Sequence, residues 1–311
     1  MNSQSKKPIL SICIPTYNRA TYLDKCLQSL MSQVIDRQNE VEIVICDNNS
    51  TDNTYDVVSK YIRDGVEIKY TKNSVNVHDK NFYIVINNAN GIYRKLINDS
   101  TIFNEGSIDK ILKTVKDNYV SQKPIVWTNS VNNGSINKEL DFKSLILDCG
   151  FRLTSILWFG VWESDLSLLI CDDDVFSTKI WQLYITLAIV KKHQMAILYN
   201  QKLFTTQEVL KKDLTYGLFK VFHENFFEVL KPYFIFYNFN NCEVETIEKD
   251  LLYNFFMVWC INTEVYKHKY SIYHNENLFL EVKNYYKNKT YWADFYVKYK
   301  VKTLFQLLKS F

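Results

Sequence analysis

The amino-acid sequence predicts an α/β fold, a mostly parallel sheet flanked by helices, with a helical appendage behind it. Three observations carry this. Residues 10–14 (LSICI) and 41–46 (VEIVIC) are short runs rich in Ile and Val, the pattern of strands covered on both faces. Between them residues 22–31 have helical spacing, which makes strand, helix and strand a right-handed crossover unit. From Thr205 onward, long helical stretches crowded with Phe, Tyr and Lys contain few glycines and one proline, Pro232. The expected division is therefore 1–204 for the sheet domain and 205–311 for the helical region.

In the first crossover, Arg19 and Ala20 open the helix and Asn18 is its expected N-cap. Ligands of such sheets sit beyond the carboxyl ends of the strands, so Pro15, Thr16, Tyr17 and Asn18 should lie beside Asp47, Asn48 and Asn49. A helix is expected over 50–63, with Asp52 either a cap in its first turn or a ligand-binding carboxylate. Asp47 caps nothing evident from the sequence, which favours a binding role.

A strand at 66–70 follows, then a helix from Asp79 to about Asn88, a strand at 92–97, a helix at 105–118 and a strand at 123–127. Residues 128–137 read as a polar turn and 140–149 as a helix. Residues 152–161 are a long apolar run, 180–191 a helix and 195–199 a last strand. Helices are then expected over 206–230, 246–261 and 291–308. In the last of these Trp292, Tyr296, Tyr299, Thr303 and Leu307 share one face while Lys298, Lys302 and Lys309 share a flank. That pattern suits either an anionic membrane surface or packing against the rest of the chain or a second subunit, as a homo-oligomer.

The chain has 311 residues, 47% of them apolar and 15% aromatic, ample for a large core. A formal charge of +3, without zinc spacing or an RNA-binding motif, argues against nucleic acid. Cys13, Cys26, Cys46, Cys149, Cys171, Cys242 and Cys260 are scattered singly and read as reduced core thiols. No signal-peptide pattern and no run of about 18 apolar residues stands out, so a cytoplasmic protein is expected, peripheral at the inner membrane face if the lysine-rich helix docks there.

Pro15-Thr16-Tyr17-Asn18 and, at the end of the second strand, Asp47-Asn48-Asn49-Ser50-Thr51-Asp52 resemble the two ordered motifs of inverting glycosyltransferase family 2, which has the GT-A fold with a Rossmann-like nucleotide-binding half. The nearest branch is the one that builds bacterial surface polysaccharides and includes abequosyltransferase-like enzymes. The likeness covers roughly the first 105 residues well and 151–204 loosely. It implies a glycosyltransferase moving a sugar from a nucleoside-diphosphate sugar to a hydroxyl of a glycan or lipid-linked glycan, with inversion, in capsule or lipopolysaccharide synthesis. Thr16 and Tyr17 would line the base pocket, Asp47 would bond the base or ribose, and Pro15, Asn18 and Asn49 would complete the crevice. Asn76 matches the family pattern, Val77 replaces its glycine, and Lys80 stands where a basic residue approaches the diphosphate, or else is a solvated lysine. His78 reads as a surface or packing residue.

The resemblance also implies Mg or Mn held by an Asp-x-Asp motif, here Asp99-Ser100-Thr101, in which only Asp99 keeps its carboxylate. A weakened metal site, metal-independent transfer aided by Lys80, and lost activity are the three outcomes that this replacement leaves open, and a weakened or unconventional metal site on Asp99 is the expected one. The family's acidic pair at the start of the late helix falls on Trp181 and Gln182, neither of which can be a general base. Asp172, Asp173 and Asp174 lie just upstream, and Asp173 or Asp174 is the expected base, against the reading of a solvated charge cluster at a helix start. Glu163 and Asp165 come next. Because Thr101 and Gln182 depart from the pattern, a catalytically impaired nucleotide-sugar-binding or scaffolding subunit is the rival function.

Overall fold

The structure, a computed structural model, describes residues 7–128, 137–209, 212–266, 269–271 and 277–309. They divide into two compact units, residues 1–145 with 152–208, and residues 146–151 with 209–311.

The first unit is built on a five-stranded sheet. β1 (Leu10–Thr16) leads through α1 (Ala20–Val34) into β2 (Val41–Asp47), α2 (Thr54–Arg63), β3 (Ile68–Lys72), α3 (Lys80–Asn87) and β4 (Tyr93–Leu96). The strand order is β3-β2-β1-β4, all parallel, with a later strand, Gly160–Trp162, antiparallel at the β4 edge. Alternate side chains explain why the strands read as continuous apolar runs: Ile12, Ile14, Ile43 and Ile45 pack on one face with Leu23, Leu27 and Val58, whereas Cys13, Val44 and Cys46 pack on the other with Val85, Ile86 and Trp181.

β5 (Thr101–Phe103) and α4 (Ser107–Asp117) come next, then β6 (Ile125–Thr128), β7 (Asn137–Asp141), α5 (Phe142–Cys149), β8 (Gly160–Trp162), α6 (Asp173–Ser177), α7 (Trp181–His193), β9 (Met195–Asn200) and β10 (Phe204–Thr206). β6, β9 and β7 form a second sheet, and β5 pairs with β10. Most of the polar turn expected at 128–137 lies outside the described residues.

Several expectations are corrected. The second helix starts at Thr54, not residue 50, because the Ser50 amide is held by Asp47, the Thr51 amide by Asn18 and the Thr54 amide by Asp52. The N-cap of α1 is Arg19, and Asn18 caps nothing there; its backbone is left-handed at φ 50°. The apolar run 152–161 is mostly short 3-10 turns that end in β8. The expected helix at 206–230 does not form as drawn: Thr206 closes a strand, Gly217 at φ 78° makes a turn, and a π-helical turn over Lys220–Asn225 runs into α8 (Phe226–Phe236). Cys171 and Cys242 are exposed rather than core thiols; the other five cysteines are buried, and all seven are free.

The second unit is helical. A two-residue strand, β11 (Lys212–Asp213), pairs with β12 (Tyr270–Ser271). α9 (Asn241–Leu251) starts at an Asn240–Glu243 capping box and passes through a π turn at Leu252–Phe256 into α10 (Met257–Val265). α11 (Leu278–Tyr286), absent from the sequence reading, precedes α12 (Trp292–Lys309). The α12 face expected to meet a membrane is partly the packed one: Tyr299 and Thr303 are buried, and the Tyr299 ring stacks on Phe279 at 4.5 Å. Among the described residues no helix is long and apolar enough to cross a membrane.

Candidate active site at the carboxyl ends of the parallel strands

Parallel pairing aligns the ends of β1, β2 and β3, with Thr16 opposite Asp47 and Asp47 opposite Lys72. Asp99 lies just beyond β4 at the same edge. The Thr16 hydroxyl donates to Asp99 Oδ2 at 3.0 Å, and Arg19 Nη1 donates to Oδ1 at 3.2 Å. Burial pushes the Asp99 carboxyl above its ordinary range, against the opposing pull of the Arg19 charge and the Thr16 bond. Arg19 itself is half exposed and projects from the N-cap of α1.

Asp47 does close a local structure, which corrects the expectation drawn from sequence. Its Oδ1 accepts the Ser50 amide at 2.7 Å, and its Oδ2 accepts the Tyr70 hydroxyl at 2.6 Å. Burial, helped by the Asp47 charge, pushes the Tyr70 hydroxyl pKa up, so it remains a donor. Asn48 holds the next wall: its Oδ1 accepts the Val77 amide at 2.8 Å, and its Nδ2 donates to Asn76 Oδ1 at 2.7 Å and the His78 carbonyl at 3.3 Å. Asn49 is left-handed at φ 68°. Asn18 ties the two strand ends together, its amide donating to Ser50 Oγ and its Oδ1 accepting the Thr51 amide, each at 2.8 Å. Asp52 is a cap, and of two helices: it accepts the Ala20 amide of α1 at 2.9 Å and the Thr54 amide of α2 at 3.1 Å. Burial alone would raise its pKa, but bonds from the Thr54 hydroxyl and these amides outweigh that and lower it.

Pro15 is buried at the end of β1, and Tyr17 is 43% exposed just beyond it. Lys80 opens α3, next to the segment that Asn48 grips, and its Nζ lies 3.7 Å from Asp173 Oδ1. The fold thus brings together two candidates far apart in the sequence. Asp172 is the N-cap of α6, accepting the Asp174 amide at 2.8 Å, and all three aspartates are exposed. Trp181 and Gln182 are structural: both are buried and donate to the carbonyls of Ile170 and Thr154.

Glu163 and Asp165 are at the wrong edge. Trp162 pairs with Tyr93, the first residue of β4, so the residues after Trp162 lie at the amino ends of the parallel strands. Glu163 meets Lys7 and Arg94, and buried Asp165 meets Lys192 at 2.6 Å and His193 at 3.0 Å.

Residues 11–161 match the family Glycosyl transferase family 2. The chain carries a glycosyltransferase family 2 domain. It is 41% identical to the abequosyltransferase RfbV of Salmonella typhimurium over 88 residues, 27% of this chain and 26% of the relative. It is 27% identical to the GalNAc(5)-diNAcBac-PP-undecaprenol β-1,3-glucosyltransferase of Campylobacter jejuni over 145 residues, 45% of each chain. The matches thus span about a quarter and just under half of those relatives' lengths. Among solved structures, a fragment of S. aureus TarS in complex with UDP superposes with a TM-score of 0.55 at 18% identity, covering 83% of this chain and 75% of that one. That likeness shows the GT-A fold.

Within the family 2 domain, sequence reading missed Tyr70, Lys72 and the partner of Arg19; Lys72 Nζ donates to the Ser50 carbonyl at 2.7 Å. Only Arg19 left a signal: a cation at a helix N-terminus opposes the macrodipole and calls for a partner.

The metal that the family resemblance implies can be tested against the donors present. Asp99 has both oxygens engaged, one by a guanidinium. Thr101, in place of the second carboxylate, is buried with its hydroxyl unpartnered among the described residues. No group of three His, Cys, Asp or Glu among those residues could hold a metal. The chain by itself therefore offers one carboxylate, too few donors to hold a divalent cation without the phosphates of a bound substrate.

Proposed function

We propose that the chain transfers a glycosyl group from a nucleoside-diphosphate sugar to a hydroxyl of a glycan or lipid-linked glycan, with inversion, in bacterial surface-polysaccharide assembly. The observation that carries this is the gathering of Thr16, Asp99, Arg19, Asn18 and Asp47 at the carboxyl ends of β1, β2 and β4 within a family 2 domain. The lipid-linked acceptor is supported by the name of the Campylobacter relative, which specifies an undecaprenol diphosphate substrate.

In this reading the base of the nucleotide lies on Tyr17, and Asp47 accepts from base or ribose through the lone pairs its two present bonds leave free. The acceptor oxygen attacks the anomeric carbon as the bond from that carbon to the diphosphate oxygen breaks. The hydroxyl proton passes to the Asp173 or Asp174 carboxylate, and the electron pair leaves with the diphosphate. Arg19 and Lys80 are the cations that meet the charge developing on the leaving group. No step is routed through a metal, for which the chain by itself offers the single carboxylate of Asp99.

The test is transfer from UDP, CDP, GDP and dTDP sugars to lipid-linked and free glycans, with and without a chelator. Acceptor-dependent release of one nucleoside diphosphate, undiminished by the chelator and inverted at the anomeric carbon by NMR, is expected. Binding of a nucleotide sugar without transfer to any acceptor would favour the scaffolding role.

A further inference from the structure

We propose that the outward arc of α12 is a docking face for an anionic phospholipid surface. This does not rest on the sugar-transfer reading. At 3.6 residues per turn, each residue advances about 100°. With Val297 at zero, Leu304, Leu308, Val301 and Phe305 fall at about −20°, 20°, 40° and 80°. The buried residues Phe295, Tyr299 and Thr303 centre near ~200°, on the opposite side. Five large apolar side chains therefore form one continuous stripe facing away from the core, and Leu304, Phe305 and Leu308 are 59%, 62% and 66% exposed. Scattered exposed apolar residues are ordinary; a stripe along one helix is not.

Charge selects the occupant. Lys298 and Lys302 flank the stripe at about 100° and 140°, and Lys300 flanks it on the other side at about −60°, all exposed. The one carboxylate of the helix, Asp294, precedes the stripe and is bonded to Lys298 and the Tyr253 hydroxyl. An apolar strip between two lysine borders matches the acyl and anionic headgroup levels of a bilayer surface. A second copy of the chain would set lysine borders against each other, which disfavours self-association. The lysines and the 18-residue length fit a helix lying in the interface rather than crossing it.

The experiment is co-sedimentation of the full chain with phosphatidylcholine vesicles, alone or mixed with phosphatidylglycerol, at low and high salt. The protein should pellet only with the anionic vesicles and be released by salt. Lys302→Gln should weaken binding about fivefold. The double variant Val301→Asp, Leu304→Asp should stay in the supernatant with its melting temperature unchanged, since both sites are exposed. The proposal is overturned if the wild-type protein ignores anionic vesicles, if it binds neutral vesicles equally at any salt, or if the double variant binds as well as wild type. Conversion of a wild-type dimer to a monomer by the double variant, with no vesicle binding by either protein, would overturn it in favour of a second copy on the stripe.

Discussion

Arg19 and Thr101 between them decide how the crevice handles charge. Arg19 neutralises Asp99, and Thr101 puts a hydroxyl where the family pattern has a second carboxylate. Restoring that carboxylate looks attractive on sequence grounds as a way to tighten a metal. The burial of Thr101 reverses the expectation: Thr101→Asp would place an uncompensated charge in the core and cost several kcal/mol. Thr101→Val keeps the β-branched shape and removes an unpartnered polar atom, so it should be stabilising by about 1 kcal/mol. Urea unfolding of the two variants checks both signs, and a stable Thr101→Asp protein would mean that the side chain reaches solvent or a cation. The motif positions were legible in the sequence because they are contiguous. Asp47 as the acceptor of Tyr70, and Asp99 as the partner of Arg19, were not, because each pairs residues from different strands or loops.

At the level of elements, Asp52 is the joint between the two strand ends. It caps α1 from across the loop and α2 from within it, so Asp52→Ala removes two caps. A loss of about 1–3 kcal/mol is expected, read by thermal unfolding. Because folding lowers the Asp52 pKa, its contribution is full above the unfolded carboxylate range and fades as acid protonates it. No loss in Asp52→Ala would show that water replaces both caps. The parallel strands were legible as elements because burial on both faces leaves an uninterrupted apolar signature. In α12 the periodicity was legible but its orientation was not: both an aromatic arc and an aliphatic arc exist, and it is partners such as Phe279, Glu264 and Tyr253 that reveal that the aromatic arc faces inward.

For the molecule as a whole, acid stability should be set partly by the helical unit. His223 is buried among Phe219, Phe227 and Tyr285, with both ring nitrogens unpartnered among the described residues. Burial, against the pull of Glu248, lowers its pKa from 6.5 to about 4. Between those values the unfolded chain binds the proton more readily, so stability falls by about 3 kcal/mol as pH drops through that window. His223→Phe should flatten that part of the pH profile in chemical unfolding, and an unchanged slope would show that the imidazole is not its source. The central claim concerns the crevice, that a nucleoside diphosphate lies there with its base on Tyr17. Tyr17 is exposed, so removing its ring leaves the fold intact. The direct test is calorimetric titration of UDP, CDP, GDP and dTDP into the wild-type protein and Tyr17→Ala. At least one nucleotide should bind, and Tyr17→Ala should weaken it by about 1–3 kcal/mol, the worth of one base stacked on an aromatic ring; equal affinity in both proteins, or no binding of any of the four, would contradict the claim.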